Sequence, residues 1–211
     1  MLFKKETTWI IVSIIFLSGC SSSSSPIQAP KFPGYLNNYD IDNRRAGKNA
    51  FSSLVLEKNE FSDYVGFSLP KNVELTFEEE WRNRNKYNFK FDMYRESKAD
   101  EVLIGASVTY FGDNWKFAKS LKIKVGNVVF DVPQAGNPYR KVISGPTVQE
   151  MLPVAFTPEQ ILVLGEVLNG KDIKIRVLDE SYTDVTLKQK ELNGLKLLLQ
   201  AYRYLKHNDL A

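Results

Sequence analysis

From Phe51 onward, apolar and polar positions alternate along the chain. Tyr87, Phe89, Phe91 and Met93 alternate with Asn88, Lys90 and Asp92. Leu121, Ile123 and Val125 alternate with Lys122 and Lys124, and Ile173, Ile175 and Val177 with Lys174 and Arg176. Successive side chains of a strand point to opposite faces. This period of two therefore predicts strands with one buried and one wet face, the pattern of an antiparallel sheet. Val73, Leu75 and Phe77 predict a further strand, and residues 102–110 another. Gly126-Asn127 falls between two apolar runs, and glycine first in a two-residue loop predicts a type II′ hairpin. Asp179-Glu180-Ser181 predicts a second hairpin, with residues 183–187 returning.

Two segments switch to helical spacing. Thr157-Pro158-Glu159-Gln160 supplies an N-cap, a proline at the first helical position and a glutamine placed to close a capping box. Ile161, Leu164, Val167 and Leu168 continue as an apolar stripe until Asn169-Gly170. This predicts a helix over about 157–169. A second, over about 187–207, aligns Leu192, Leu195, Leu198, Leu199, Tyr202 and Leu205, with Lys196 and Arg203 on the opposite side. Gly194 inside it costs about 1 kcal/mol relative to alanine. The order of elements predicts an α+β fold: an antiparallel β-sandwich or strongly bent sheet with two packed helices. No repeat and no second linker divides residues 51–211, which read as one domain.

The chain before Phe51 has a different character. Ser21 to Ser25 are all serine, Pro26, Pro30 and Pro33 follow, and the sequence stays polar to Ala50. This composition predicts a flexible tether over residues 20–50. Arg44, Arg45 and Lys48 read as its solvated charges, with contact to anionic headgroups as the alternative. Further upstream, Lys4 and Lys5 precede an apolar run from Trp9 to Leu17, too short to span a bilayer, and the run leads into Leu17-Ser18-Gly19-Cys20. Basic start, apolar core and small residues at the junction are the anatomy of a secretory signal.

Those last four residues resemble the lipobox of bacterial lipoproteins. The resemblance covers only the signal and its junction. It implies removal of residues 1–19 by cleavage between Gly19 and Cys20, diacylglyceryl transfer to the Cys20 thiol and, in many bacteria, acylation of the new amino group. The protein would then be held to a membrane through lipid. Ser21 resembles the residue found where such proteins are sorted to the outer membrane, which in a Gram-negative host implies an outer-membrane anchor facing the periplasm.

Composition narrows the chemistry. The net charge of +3 is small and evenly spread, which argues against a nucleic-acid partner. One cysteine and one histidine exclude an intrachain disulfide and a Cys/His metal cluster, so neither metal nor cofactor is expected. His207, near the end of the last helix, reads as a cation complementing the helix dipole. Residues 133–146 are rich in glycine and proline and predict an irregular loop, without a phosphate-binding glycine pattern. Asp113-Asn114-Trp115 predicts a turn, with Trp115 packing over a sheet edge.

The candidates for partner binding are Trp81, Arg82, Arg84 and Tyr87, in a segment expected to join two strands, together with Tyr139 and Arg140. Trp, Tyr and Arg are the usual anchors of binding surfaces, and loops carry such sites more often than sheets. Glu78-Glu79-Glu80 invites comparison with the paired carboxylates of glycoside hydrolysis, but adjacent residues point different ways, which favours a solvated turn. Two readings follow. In the first, the domain is a non-catalytic envelope lipoprotein that binds a protein partner or assists assembly. It predicts an exposed patch of aromatic and arginine side chains at one end of the sheet. In the alternative, it is a small carboxylate-dependent hydrolase acting on cell-envelope glycan. That reading predicts two acids converging in a groove, at least one with a raised pKa.

Overall fold

A computed structural model describes residues 41–58, 64–96 and 101–208. The signal, Cys20 and most of the serine- and proline-rich stretch lie outside the described residues, as does the side chain of His207. The chain forms helix α1 (Ile41–Ser53), strands β1 (Val55–Lys58) and β2 (Tyr64–Ser68), the short helix α2 (Phe77–Arg82), and strands β3 (Tyr87–Glu96) and β4 (Glu101–Gly112). Next come β5 (Ser120–Val125), β6 (Val128–Pro133), β7 (Tyr139–Ser144) and β8 (Thr147–Ala155). Helix α3 (Pro158–Leu164) runs into a 3-10 turn at Gly165–Asn169, and β9 (Ile173–Leu178), β10 (Thr183–Val185) and helix α4 (Gln189–Asn208) complete the fold.

The fold is α+β with two antiparallel sheets. One has six strands in the order β1-β2-β3-β4-β8-β7, the other four in the order β10-β9-β5-β6. The sheets meet where the chain leaves β6. Gln134 bridges to Val154, and the Ala135 N–H donates to the Pro153 carbonyl at 2.8 Å, so this segment runs along the same edge of β8 that β7 then occupies. The alternating strands behave as their pattern predicts. Tyr87, Phe89, Phe91 and Met93 are all buried and join Leu121, Ile123, Val125, Ile175 and Val177 in one core. Burying such side chains contributes about 1.5–3 kcal/mol each.

The hairpin at Gly126 links Val125 to Val128, with Gly126 at a φ of 55° while Asn127 stays in the ordinary region, as a type II′ turn requires. The β9–β10 hairpin pairs Thr183 with Val177 across Asp179-Glu180-Ser181. Asp113 and Asn114 form an exposed bend, and Trp115 packs half-buried on the core. Thr157 and Gln160 close a reciprocal capping box at the start of α3. In α4 the predicted stripe faces the core, and Gly194 has a packing reason. A Cβ there would stand 2.6 Å from the Leu69 side chain, so the glycine admits Leu69 against the helix.

Four expectations differ from the structure. Residues 41–50, given to the tether by composition, form most of α1. Its buried positions are Gly47 and Ala50, with the Phe51 ring 5.4 Å from Phe67 and 6.0 Å from Tyr204 of α4. Among residues 43–50 the buried positions are small, so hydropathy does not flag them. Val73, Leu75 and Phe77 are not a strand: residues 71–74 turn, and Phe77 opens α2. Residues 139–144 of the supposed irregular loop are strand β7, paired with β8. Arg203, expected on the solvent side of α4, is half-buried and donates to the Gly165 carbonyl at 3.0 Å. Among the described residues, no helix is long and apolar enough to cross a membrane.

Candidate partner-binding surface

The outer face of the six-stranded sheet, turned away from the core, is set by register. Phe111, Thr109, Lys90 and Asp92 lie on it, because their neighbours Tyr110, Val108, Phe89, Phe91 and Met93 point inward. Helix α2 covers one end of this face. It begins because Thr76 is a good N-cap: its Oγ1 accepts from the Glu79 N–H at 3.2 Å, and its own N–H donates to Glu79 Oε2 at 2.7 Å. Six residues give only one and a half turns, too few to stand alone. Aromatic contacts hold the helix down. Phe77 stacks on Trp81 with ring centroids 6.0 Å apart, and both set an edge against Phe111, at 5.6 and 5.8 Å. Phe111 is fully buried by this arrangement, whereas Phe77 remains 58% exposed.

Across from α2 stands β7. Tyr139 lies opposite Met151 and Lys141 opposite Gln149, so alternation puts Tyr139, Lys141 and Ile143 on the face that carries Phe111. A bulge between Val142 and Ser144 then bends the strand. Between α2 and this end of β7 lies a groove of about 460 Å³, lined by Phe77, Glu78, Trp81, Arg82, Ile143 and Ser144.

The structure brings Trp81, Arg82 and Arg84 of the predicted residues together here. Arg82 is exposed in the groove wall. Arg84 braces the site: its guanidinium lies 5.2 Å from the Trp81 ring centre, pairs with Asp113 and donates to Thr147 Oγ1 at 3.1 Å. Tyr87 does not reach the surface. It is buried, its hydroxyl donates to Asp179 Oδ2 at 3.2 Å, and burial followed by the Asp179 charge pushes its pKa up. Arg140 lies on the opposite face from the groove, pairing with buried Glu150 at 3.3 Å and lying 5.1 Å from the Phe117 ring centre. Tyr139 shares the groove's face without lining it. Phe77, Phe111 and Ile143 were not among the sequence candidates. Thr76 followed three residues later by Glu79 is the capping-box signal that marks α2.

The three adjacent glutamates sit in the first turn of α2, not in a strand-end loop, and they have separate fates. Glu78 is exposed in the groove wall. Glu79 bonds Lys190 Nζ at 2.8 and 2.9 Å, and that bond, with the cap to Thr76, holds its pKa down at about 2. Glu80 is half-buried, and burial pushes its pKa up to about 7 against the opposing pull of Lys90. Asp92 on β3 is raised by burial to about 6, again opposed by Lys90. Burial pulls the Lys90 pKa down, but Asp92 and an ion pair with Glu74 more than offset it.

The start of α4 closes the flank of this layer. Glu191 Oε1 accepts the Phe89 N–H at 2.8 Å, Oε2 accepts the Lys188 N–H at 2.6 Å, and Lys188 Nζ bonds Asn88 Oδ1. Phe89 lies beyond the end of β2, whose pairing on β3 reaches only to Met93, so Glu191 satisfies a strand N–H that has no ladder partner. No family model matches the chain, and neither does any curated protein or solved structure. Among the described residues, no group of three or more acidic, histidine or cysteine side chains is placed to hold a metal ion.

Proposed function

We propose that the protein is a membrane-anchored envelope lipoprotein with a non-catalytic binding role, held by lipid on Cys20 and engaging a protein partner through the groove between α2 and β7. The observation that carries the binding half is the stack of exposed Phe77 on half-buried Trp81 beside Arg82, packed on the fully buried Phe111. An aromatic pair with an arginine at its rim is the composition of interaction hot spots, and rings already packed on Phe111 have less side-chain freedom to lose on binding. The lipobox-like junction at Leu17-Ser18-Gly19-Cys20 supports the anchor. The polar stretch from Ser21 to the start of α1 leaves room for the domain to stand off the bilayer.

Raised carboxylates alone do not favour the hydrolase reading. The groove wall contains one acid, Glu78, whereas Glu80 and Asp92 owe their shifts to burial in the layer around Lys90. The test is cross-linking of the native protein in its own envelope, together with the mass of the Cys20 peptide. A diacyl-modified Cys20 that is lost in Cys20→Ser, and adducts of the wild type that vanish in Phe77→Glu, are the expected results. An unmodified Cys20 would overturn the anchor, and adducts indifferent to Phe77→Glu would overturn the binding surface.

A further inference from the structure

We propose that the free edge of β7 accepts an extended, acidic polypeptide segment of a partner protein as an added strand, with one large apolar side chain of that segment seated between Phe77, Trp81 and Ile143. This rests on the binding reading above and specifies what is bound. β7 ends the six-stranded sheet: it pairs with β8 on one side, and no described strand pairs with the other. Its backbone N–H and C=O groups on that side are a template for strand addition.

The other sheet edges are less suited. β10 has three residues, with Asp184 tied to Arg176 in a two-point ion pair. β6 carries Asp131, paired with Lys122 at 3.3 Å, and ends in Pro133, which has no N–H. β1 has one acid and one base in four residues. β7 has six residues and no acid, its Arg140 is held by Glu150 on the inner face, its Lys141 lies on the groove's face, and of the four edges it alone runs beside the groove.

Charge selects the occupant. A second copy pairing antiparallel about Lys141 would set that lysine against its own equivalent, and like charges across a strand pair are destabilising. The same repulsion deters basic strands, and charge complementarity makes an acidic one the favourable guest. Lys141 and Arg82 have no acidic partner among the described residues. Spacing adds a rule. Every second residue of an added strand faces the groove side, in line with Tyr139, Lys141 and Ile143. The segment therefore carries a large apolar residue and an acid two positions apart.

The probe is a display library of random peptides of about twelve residues, screened against the full mature protein in detergent. The expected result is enrichment of sequences with an acid two residues from a large apolar side chain. The best of these should slow hydrogen exchange at the β7 amides, and Lys141→Glu should weaken binding by about tenfold, the order of one lost charge contact. Peptides that lose binding in Trp81→Ala yet leave β7 exchange unchanged would overturn strand addition while sparing the groove. Enriched peptides without acids, or no enrichment at all, would overturn the proposal, and binding unaffected by Trp81→Ala would overturn the groove with it.

Discussion

The two faces of the six-stranded sheet solve different problems. The inner face presents Phe89, Phe91, Met93, Ile104 and Val108 to a core shared with the second sheet, with no residue among these more than 2% exposed. The outer face alternates with it residue by residue, yet it carries Asn88, Lys90, Asp92, Thr109 and Phe111, with the short helix α2 packed over Phe111 at one end. One face is dry and close-packed. The other is a half-buried polar layer with an apolar groove at its end. The dry face specifies the fold, whereas the other holds half-buried charge at a cost in stability.

The largest expected effect belongs to the dry face. Phe91→Ala removes a ring that is 2% exposed, and such truncations cost about 3–5 kcal/mol, read as a shift in the urea unfolding midpoint. A loss below about 1 kcal/mol would mean that the core is not packed as described. Next is Glu191→Ala at the flank of the outer layer. It strands the Phe89 and Lys188 N–H groups and should cost about 2 kcal/mol, with faster amide exchange at Phe89.

The outer layer should also reveal itself through pH. Glu80 rises from 4.5 to about 7 and Asp92 from 3.8 to about 6, both chiefly through burial. The folded state then holds protons that the unfolded chain has released. Stability from Glu80 is full below pH 4.5 and is lost as pH rises through about 7. Glu80→Gln should flatten that slope and be more stable than the parent above pH 7, by about 1–2 kcal/mol after allowing for solvent screening. An unchanged slope would contradict the burial of Glu80. The smallest effect is that of Glu79→Gln. Its pKa is lowered to about 2, so its contribution appears above 4.5 and is lost on acidification toward 2. The pair with Lys190 is partly exposed, so added salt should erase most of the difference.

The same contrast explains what the sequence made legible. Period-two runs such as Tyr87–Met93 and the capped stripe at Thr157–Leu168 announce themselves because burial there uses large apolar residues. The outer layer is quieter. Thr76 and Glu79 mark α2 as a capping box, but the alternation of Val73, Leu75 and Phe77 competes with that signal. β7 hides among glycine and proline, and its exposed Val142 and Lys141 lack a buried partner pattern. Glu191 reaches a strand about a hundred residues away in sequence, which no local rule reads. Of the predicted contacts, Trp81, Arg82 and Arg84 meet at the groove because they are close in sequence, while Tyr87 is drawn inward by the alternation that makes β3 a strand.

The most direct test of the central claim is a photoreactive side chain placed singly at Phe77 and, as comparison, at Val129. Both are more than half exposed, but Val129 lies on the β6 edge away from the groove. In the cells that make the protein the account predicts a discrete partner adduct from position 77 and none from 129. Equal adducts from both positions, or an adduct from 129 alone, would contradict it.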